Sequence, residues 1–305
     1  MHLIKHAFTI TDLENISGIK AHTIRIWEKR YKLLQPERGT RNIRYYNIEH
    51  LQKLLNISVL YQQGWKISKI ASLSEEDIIS QTKIYINQEK NVGLINNELK
   101  LAMYKFDKNL FEESYQRIIK QNSFSKVYQE VFAPLLHFTG LLWQTHSINP
   151  AHEHFISNLI VQKILLQTTL LKEIKPIPNK PTFVLSLPEE EMHEISLLYF
   201  NYELKLRGYH TIYIGRSISF KDLTRVGLFY PLITWISIFT TNPSINKINT
   251  HIKEVQSFLK NNDHEYWLIG NDLSNLKQKS YPLKLKIFPS VKEALSILNS
   301  INDSL

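Results

Sequence analysis

Three closely spaced prolines, Pro176, Pro178 and Pro181, constrain the fold of this chain more than any other feature. Proline lacks a backbone N–H and its ring clashes with the preceding helical turn, so a helix does not run through this segment. The pattern of apolar residues also differs on the two sides of the prolines. We therefore predict a domain junction between residues 175 and 181.

After Pro181, short apolar runs alternate with amphipathic segments of helical length. Strands that alternate with helices form a parallel sheet covered on both faces. The sequence thus predicts an α/β domain over residues 181–305, a doubly wound, flavodoxin-like sheet of five strands with any ligand at their carboxyl ends. The predicted strands are Thr182–Leu187, Thr211–Ile214, Leu232–Phe239, Tyr266–Ile269 and Leu283–Phe288. The predicted helices are Glu190–Arg207, which Gly208 ends, Ile252–Leu259 and Val291–Leu298.

Before the prolines, the sequence has a helical pattern. Apolar residues recur every three to four positions between Glu76 and Ile174, and this spacing is typical of helices that bury one face. We predict a four-helix bundle over residues 76–175. Residues 1–75 alternate short helical segments with turn signals, and they form a third predicted module.

Positive charge is concentrated in this first module. Residues 1–75 contain 12 Lys and Arg against 6 Asp and Glu, whereas the rest of the chain contains 25 against 22. Two thirds of the net charge of +9 therefore lies in the first quarter of the sequence. Such an asymmetry indicates a small basic module that binds a polyanion.

Several classes of protein are excluded by what the sequence lacks. With no cysteine, disulfides, thiolate nucleophiles, iron–sulfur clusters and cysteine zinc sites are all excluded. The longest apolar run, Val226 to Phe239, contains Pro231 and is shorter than the ~18 to 20 residues that span a bilayer. The N-terminus also lacks the apolar region of a signal peptide. We expect a cytoplasmic protein that does not enter a membrane.

Two closely spaced helices are predicted within the basic module. Thr9 caps the first helix and Gly18 ends it, and the second helix follows at Ala21–Tyr31. Ile24, Trp27 and Tyr31 fall on one face of this second helix. This is helix-turn-helix geometry, in which the second helix enters a DNA major groove about 12 Å wide.

A turn-rich segment follows from Gln35 to Tyr46 and contains three arginines and a tyrosine pair. It predicts a small β wing whose side chains bind phosphates without reading bases. Together with the second helix, this segment closely resembles the MerR family of transcription regulators. The matching motifs are Arg25-x-Trp27-Glu28-x-Arg30-Tyr31, Pro36-x-Arg38, Arg44-x-Tyr46 and Gly64.

The resemblance to MerR regulators implies binding to double-stranded operator DNA, with an inverted repeat bound by a homo-oligomer, either a dimer or a tetramer. It also implies that Glu28 pairs with a nearby arginine, whereas Trp27, Tyr31 and Leu34 belong to the core. The residues that it places in the groove are Lys20, His22, Thr23, Arg25 and Arg30. Those that it places on the DNA backbone are Arg38, Arg41, Arg44 and Tyr46.

A second resemblance lies in the later modules. The pattern Trp143-x9-Glu153-His154 is similar to the helical cap of cobalamin-binding regulators, and Glu191-x-His193 to their cobalt-ligating loop. The resemblance, which includes cobalamin-dependent photoreceptor repressors, implies that adenosylcobalamin is the cofactor and His193 the metal ligand. The implied cofactor-binding residues are Trp143, Glu153, His154, Glu191, His193, Ser237 and Gly270.

This second resemblance is incomplete, and two hypotheses follow. Ser196 replaces a family glycine, and Gly270 is followed by Asn271 where the family has a second glycine. One hypothesis is a regulator that senses adenosylcobalamin, with light as a further input. The other is a regulator with a cofactor-free sensor that binds a protein antirepressor. An enzyme is not expected, because the sequence has neither a substrate barrel of about 250 residues nor a phosphate-binding glycine loop.

Overall fold

A computed structural model describes residues 8–38, 43–87, 92–144, 148–173, 175–176, 180–188, 191–216, 218–239, 245–260, 263–270, 273 and 284–302. It divides into two compact units, Met1–Ile160 and Val161–Leu305. Within the described ranges, no helix is long and apolar enough to span a membrane.

The first unit begins with the predicted helix-turn-helix. Helix α1 (Ile10–Ser17) starts with a capping box, in which the Thr9 hydroxyl accepts from the Asp12 amide and the Asp12 carboxylate accepts from the Thr9 amide. Gly18 ends this helix at φ +74°. Helix α2 spans Ala21–Tyr31, as predicted. The next elements are β1 (Glu37–Arg38), the antiparallel β2 (Arg44–Tyr45), α3 (Ile48–Gln62) and α4 (Ile67–Ala71).

A helical region follows, as the apolar spacing predicts. One turn of π-helix, Tyr128–Phe132, ends two residues before Pro134, whose missing N–H removes one helical hydrogen bond. The α-helices are α5 (Glu75–Asn87), α6 (Val92–Lys105), α7 (Lys108–Ile119), α8 (Phe124–Val127), α9 (Ala133–Gln144) and α10 (Pro150–Thr169).

Helix α10 begins in the first unit and continues into the second, because the division between Ile160 and Val161 falls inside it. The domain boundaries proposed at residues 75, 175 and 181 stay a prediction.

The second unit contains the predicted parallel sheet of five strands. Its order is β4-β3-β5-β6-β7, and every neighbouring pair is parallel. The strands are β3 (Thr182–Ser186), β4 (Thr211–Gly215), β5 (Ile233–Ile238), β6 (Glu265–Ile269) and β7 (Leu285–Phe288). The helices are α11 (Ile195–Leu206), α12 (Phe220–Leu223), α13 (Ile245–Leu259) and α14 (Val291–Asn302). The doubly wound fold class is thus confirmed.

The core of the second unit lies on both faces of this sheet. One face carries Val184, Trp235 and Tyr266, and their side chains pack with the apolar face of α13. Because side chains alternate along a strand, Phe183 and Trp267 lie on the opposite face, where their rings are 5.9 Å apart. Helices α11 and α14 contact each other and the sheet. The large aromatic side chains fill the interior beside the central strands.

Helix α11 begins at Ile195, later than the predicted start at Glu190. Local hydrogen bonds explain the difference. The Glu191 amide donates to the Pro188 carbonyl at 3.1 Å, and the Glu191 carboxylate accepts from the His193 amide at 2.9 Å. These bonds satisfy the backbone in a loop conformation and so compete with the helix. The loop carries two of the predicted cofactor residues.

Two glycines in the first unit provide a stability test. Gly18 has the left-handed conformation that side chains disfavour, whereas Gly140 lies inside α9, and a Cβ would meet nothing within 4 Å at either position. We expect Gly18→Ala to lower the free energy of unfolding by about 1 kcal/mol. Gly140→Ala is expected to raise it by roughly 0.5 to 1 kcal/mol. Urea unfolding checks both values, and equal shifts for the two variants would contradict the assignment.

Candidate functional site

Helix α2 has one buried face and one exposed face. Ile24 and Trp27 are buried, whereas His22, Arg25 and Arg30 are exposed. The buried pair fixes the rotation of the helix about its axis, so the basic side chains point to solvent. Thr23 is half-buried, and its hydroxyl lies 3.3 Å from Nε2 of His22. Four of the five residues predicted for the groove thus lie on or beside one accessible surface.

The turn before α2 is held by Glu14. Its carboxylate accepts a hydrogen bond from the Ala21 amide at 3.1 Å and forms an ion pair with Lys20 at 3.1 Å. The Ala21 amide, followed by the Lys20 ammonium, lowers the pKa of Glu14. This carboxylate therefore satisfies an N–H at the start of α2, where Lys20 offers no side-chain cap. Lys20, the fifth predicted groove residue, is exposed and paired within the module.

Glu28 joins α2 to the β wing. Nε of Arg44 donates to Glu28 at 3.1 Å, and the Tyr46 hydroxyl donates to the same carboxylate. Glu28 has little exposure, and Arg44 is one-third exposed. A carboxylate removed from water needs such partners, so this arrangement sets the wing against the helix. The predicted pairing of Glu28 with an arginine is present in the structure.

Tyr46, which was predicted to contact the DNA backbone, lies inside the DNA-binding module. Its side chain is 0% exposed, and burial, followed by Glu28, raises its pKa. The hydroxyl donates to an internal carboxylate, so this conformation does not present it to a phosphate. Arg38 is exposed on β1. Arg41 lies outside the described residues.

The predicted cap residues lie on two helices of the first unit. Trp143, near the end of α9, is 54% exposed, which is unusual for so large an apolar side chain. Glu153 and His154 lie in the first turns of α10, with their side chains 3.8 Å apart. The Glu153 carboxylate also accepts from the Ser157 hydroxyl at 2.9 Å. These side chains are accessible to a ligand.

Glu191 and His193 form a compact pair after β3, at the carboxyl end of the sheet. Nδ1 of His193 lies 2.8 Å from the Glu191 carboxylate, which also accepts from the His193 amide at 2.9 Å. The carboxylate is buried, whereas the His193 side chain is 59% exposed. Because Glu191 accepts from Nδ1, the opposite ring nitrogen, Nε2, is the one suited to a metal. This loop fits a single nitrogen ligand to cobalt.

Ser237 and Gly270 are engaged in internal contacts. The Ser237 hydroxyl is buried 2.6 Å from the Tyr266 hydroxyl, which lies 2.9 Å from Nε2 of His251. A Cβ at Gly270 would lie 2.9 Å from the carbonyl oxygen of Phe239. Glycine is therefore needed here for close packing within the protein itself. These two positions do not fit a cofactor as the loop at His193 does.

Sequence reasoning missed His251 and Tyr266. They lie on α13 and β6, 15 positions apart, and neither belongs to a motif. Burial lowers the pKa of His251 to about 4, so its ring is neutral at physiological pH. The sequence feature that could have identified His251 is its position on the apolar face of an amphipathic helix.

Comparisons with known proteins match two segments of the chain. Residues 8–77 match the family described as MerR HTH family regulatory protein, and residues 95–165 match the B12 binding domain. The HTH-type transcriptional repressor CarH of Myxococcus xanthus is 23% identical, over 74% of this chain and 76% of its own length. The HTH-type transcriptional repressor CarA of the same organism is 24% identical, over 68% of this chain and 67% of its own length. A monomethylamine corrinoid protein of Methanosarcina barkeri is 8% identical, with a TM-score of 0.49 over 69% of this chain and 95% of its own.

The buried ring of His251 predicts acid sensitivity. Its folded pKa of about 4 lies below the ordinary value of 6.5, so it opposes unfolding above pH 6.5, and this contribution is lost as the pH falls towards 4. The loss amounts to about 3 kcal/mol at most. We expect His251→Gln, which keeps an acceptor for Tyr266, to remove this part of the acid dependence in urea unfolding.

The matched control is His154→Gln, because the His154 side chain is exposed. This variant should keep the acid dependence of the parent. If His251→Gln and the parent lose stability equally between pH 6.5 and 4, the neutral, buried state of His251 is ruled out.

Proposed function

We propose that this chain, which joins a MerR-type DNA-binding module to a B12-binding module, is a transcriptional repressor that senses adenosylcobalamin. The observation that carries the proposal is the His193 ring, which the buried Glu191 carboxylate holds at the carboxyl end of β3. A histidine held in this way is suited to bind cobalt through its other nitrogen. The same chain presents a basic helix face to DNA, so it is a regulator rather than an enzyme.

DNA binding uses the exposed face of α2. Arg25 and His22 reach base edges in the major groove, where arginine pairs best with guanine. The Arg44 side chain is one-third exposed, and its exposed part contributes to phosphate binding while its Nε stays hydrogen-bonded to Glu28. Tyr46 acts indirectly, because its hydroxyl holds the same carboxylate from inside. We thus assign Tyr46 a positioning role rather than a phosphate contact.

Cofactor binding uses the loop after β3 in the second unit. Adenosylcobalamin, when bound, supplies a cobalt centre whose carbon ligand can be lost, so the bulk of the group changes. His193 binds the metal, and Glu191 keeps its ring in one tautomer and orientation. Trp143, Glu153 and His154 stay predicted cofactor residues, and their side chains are accessible in the first unit. Ser237 and Gly270 keep their internal contacts.

Control of DNA binding follows from linkage. A ligand that binds two states with different affinity shifts the population between them, and DNA affinity shifts with it. One helix-turn-helix of this size covers a half-site, so two copies bind an inverted repeat as a dimer or within a tetramer. Light is a further input in this proposal. We expect the protein to act in the cytoplasm, where it binds the operator DNA.

One observation favours a second function. Ser237, Tyr266 and His251 already satisfy one another, and Trp235 fills the interior on the same face of the sheet. A sensor of this kind without a cofactor would bind a protein antirepressor instead. The two functions differ in whether the purified chain binds a corrinoid at all.

Gel filtration of the full chain with adenosylcobalamin in darkness tests the cofactor. We expect corrinoid absorbance to co-elute with the protein. His193→Ala should change the spectrum of the bound group, because the side chain that would hold the metal is removed. His137→Ala removes an exposed histidine from α9 and should leave the spectrum unchanged. A protein peak without corrinoid absorbance would contradict this function and support the antirepressor alternative.

Two arginine variants test the DNA interface. Arg25→Ala should relax sequence discrimination by about 1 to 3 kcal/mol at the base it contacts. Arg44→Ala should lower affinity on all DNA and reduce the salt dependence by about one phosphate contact. Binding assays across a range of salt concentrations measure both effects.

Lys126→Ala serves as the control for charge, since it removes an exposed positive charge from α8. Melting curves show whether Arg44→Ala has unfolded the wing by exposing Glu28. Unchanged discrimination for Arg25→Ala, or an unchanged salt slope for Arg44→Ala, contradicts the corresponding assignment.

A further inference from the structure

Helix α6 ends in an unusual way at Phe106. The Asp107 amide donates to the Ala102 carbonyl at 2.9 Å, which is the long hydrogen bond of a Schellman cap. Such a cap requires a left-handed residue, and glycine is the usual choice. Here Phe106 takes that conformation with φ +52°. Phenylalanine at this position therefore strains the backbone, where glycine would not.

The ring of Phe106 packs against the start of α10. It stacks on His152 with ring centroids 4.6 Å apart and meets Phe155 edge-on at 5.4 Å. These two residues flank Glu153 and His154 in the sequence. The Phe106 side chain remains 43% exposed, so burial of apolar surface alone does not explain its place. What distinguishes Phe106 is its contact with α10, the helix that carries Glu153 and His154.

His152 continues this contact into the core. Its ring is buried, 5.6 Å from the ring of Tyr104, and it hydrogen-bonds to the Tyr104 backbone. Nδ1 of His152 also lies 2.9 Å from Asn149 Oδ1, in the residue that caps this turn. The first turn of α10 is thus tied to the end of α6 through both a ring contact and a polar contact.

Tyr104 in turn contacts the DNA-binding module. Its ring meets that of Phe8 edge-on at 5.5 Å. The Phe8 amide donates to the Tyr46 carbonyl at 2.6 Å, and the Tyr46 amide donates to the Phe8 carbonyl at 2.8 Å. The Tyr46 hydroxyl then reaches Glu28 on α2. A continuous series of contacts therefore joins the start of α10 to the recognition helix.

The Tyr104 hydroxyl is buried and makes no hydrogen bond to the described residues. Asp12, in the capping box of α1, acts on it electrostatically, and burial raises its pKa well above the ordinary value. A buried polar group without a partner is unfavourable. The strained Phe106 backbone and this hydroxyl lie two positions apart in the same turn. Both features raise the free energy of the present arrangement.

We propose that Phe106, His152 and Tyr104 form a coupling joint that transmits the ligand state of α10 to the DNA-binding module. This inference rests on the proposed function, since it assigns the route by which a ligand at Glu153 and His154 changes DNA affinity. Coupling of this kind requires an element with two arrangements that both sites bias. The three residues act as positioning residues and do not touch DNA.

The test compares the DNA affinity of the full chain with and without adenosylcobalamin. We expect the parent to change affinity by roughly 5- to 150-fold. Phe106→Gly relieves the backbone strain but removes the ring, so it should bind the corrinoid with the parent's spectrum, while its affinity change falls to about twofold or less. Phe106→Tyr keeps the ring and should restore the response.

A matched control separates the joint from the rest of the interface. Lys105 precedes Phe106, and its Nζ donates to the Gln52 side chain on α3 at 2.6 Å. Lys105→Ala removes that contact between α6 and the DNA module, yet it should keep the parent's response. A retained response in Phe106→Gly, or an equal loss in Lys105→Ala, overturns the proposal.

Hydrogen exchange gives a second readout that needs no corrinoid. Because coupling is reciprocal, a random-sequence DNA duplex at low ionic strength should change amide exchange in residues 150–156 of the parent, but not of Phe106→Gly. No change in the parent overturns the joint. A change in the parent without corrinoid binding supports the joint while the proposed function fails. If Phe106→Gly still changes its DNA affinity when the corrinoid binds, the proposed function is supported and the joint is overturned.

Discussion

A buried carboxylate organises the DNA-binding module. Glu28 lies on the inner side of α2, where an unpaired charge would be strongly unfavourable. Arg44 from the wing and Tyr46 from the following segment supply its partners. Since Tyr46 also pairs with Phe8 through the backbone, one charge fixes the helix, the wing and the entry to α1 together. The exposed basic face is rigid because the opposite face satisfies this requirement.

Local patterns in the sequence predicted the elements well. The caps of α1, the limits of α2 and the alternation of strands with helices depend on neighbouring residues, and these features agree with the structure. The placement of Tyr46 could not be predicted in this way. Whether a tyrosine faces a phosphate or a carboxylate depends on a partner 18 positions away. The start of α11 was missed because the Glu191 side chain competes for the backbone.

The candidate sensor shows the same division. The Glu191 and His193 pair is local and could be anticipated from its spacing, because a histidine ligand needs a neighbouring acceptor. The engagement of Ser237 with Tyr266 joins residues 29 positions apart on adjacent strands, and no motif signals it. Only the fold shows that these side chains satisfy one another. The sequence therefore indicated where the His193 and Glu191 pair lies, and its role as a metal ligand stays a prediction. It did not indicate how the side chains at Ser237 are satisfied.

The π-helical turn at Tyr128–Phe132 has a consequence for Trp143. A π-turn accommodates one extra residue in a continuous helix, and each residue of an α-helix advances the side-chain direction by about 100°. The side chains after the π-helical turn therefore point in directions rotated about the helix axis, compared with an uninterrupted α-helix. The direction in which Trp143 points from the helix axis therefore depends on backbone more than two turns before it. A single-residue deletion within Tyr128–Phe132 would rotate the indole to another side of the helix without changing the residue itself.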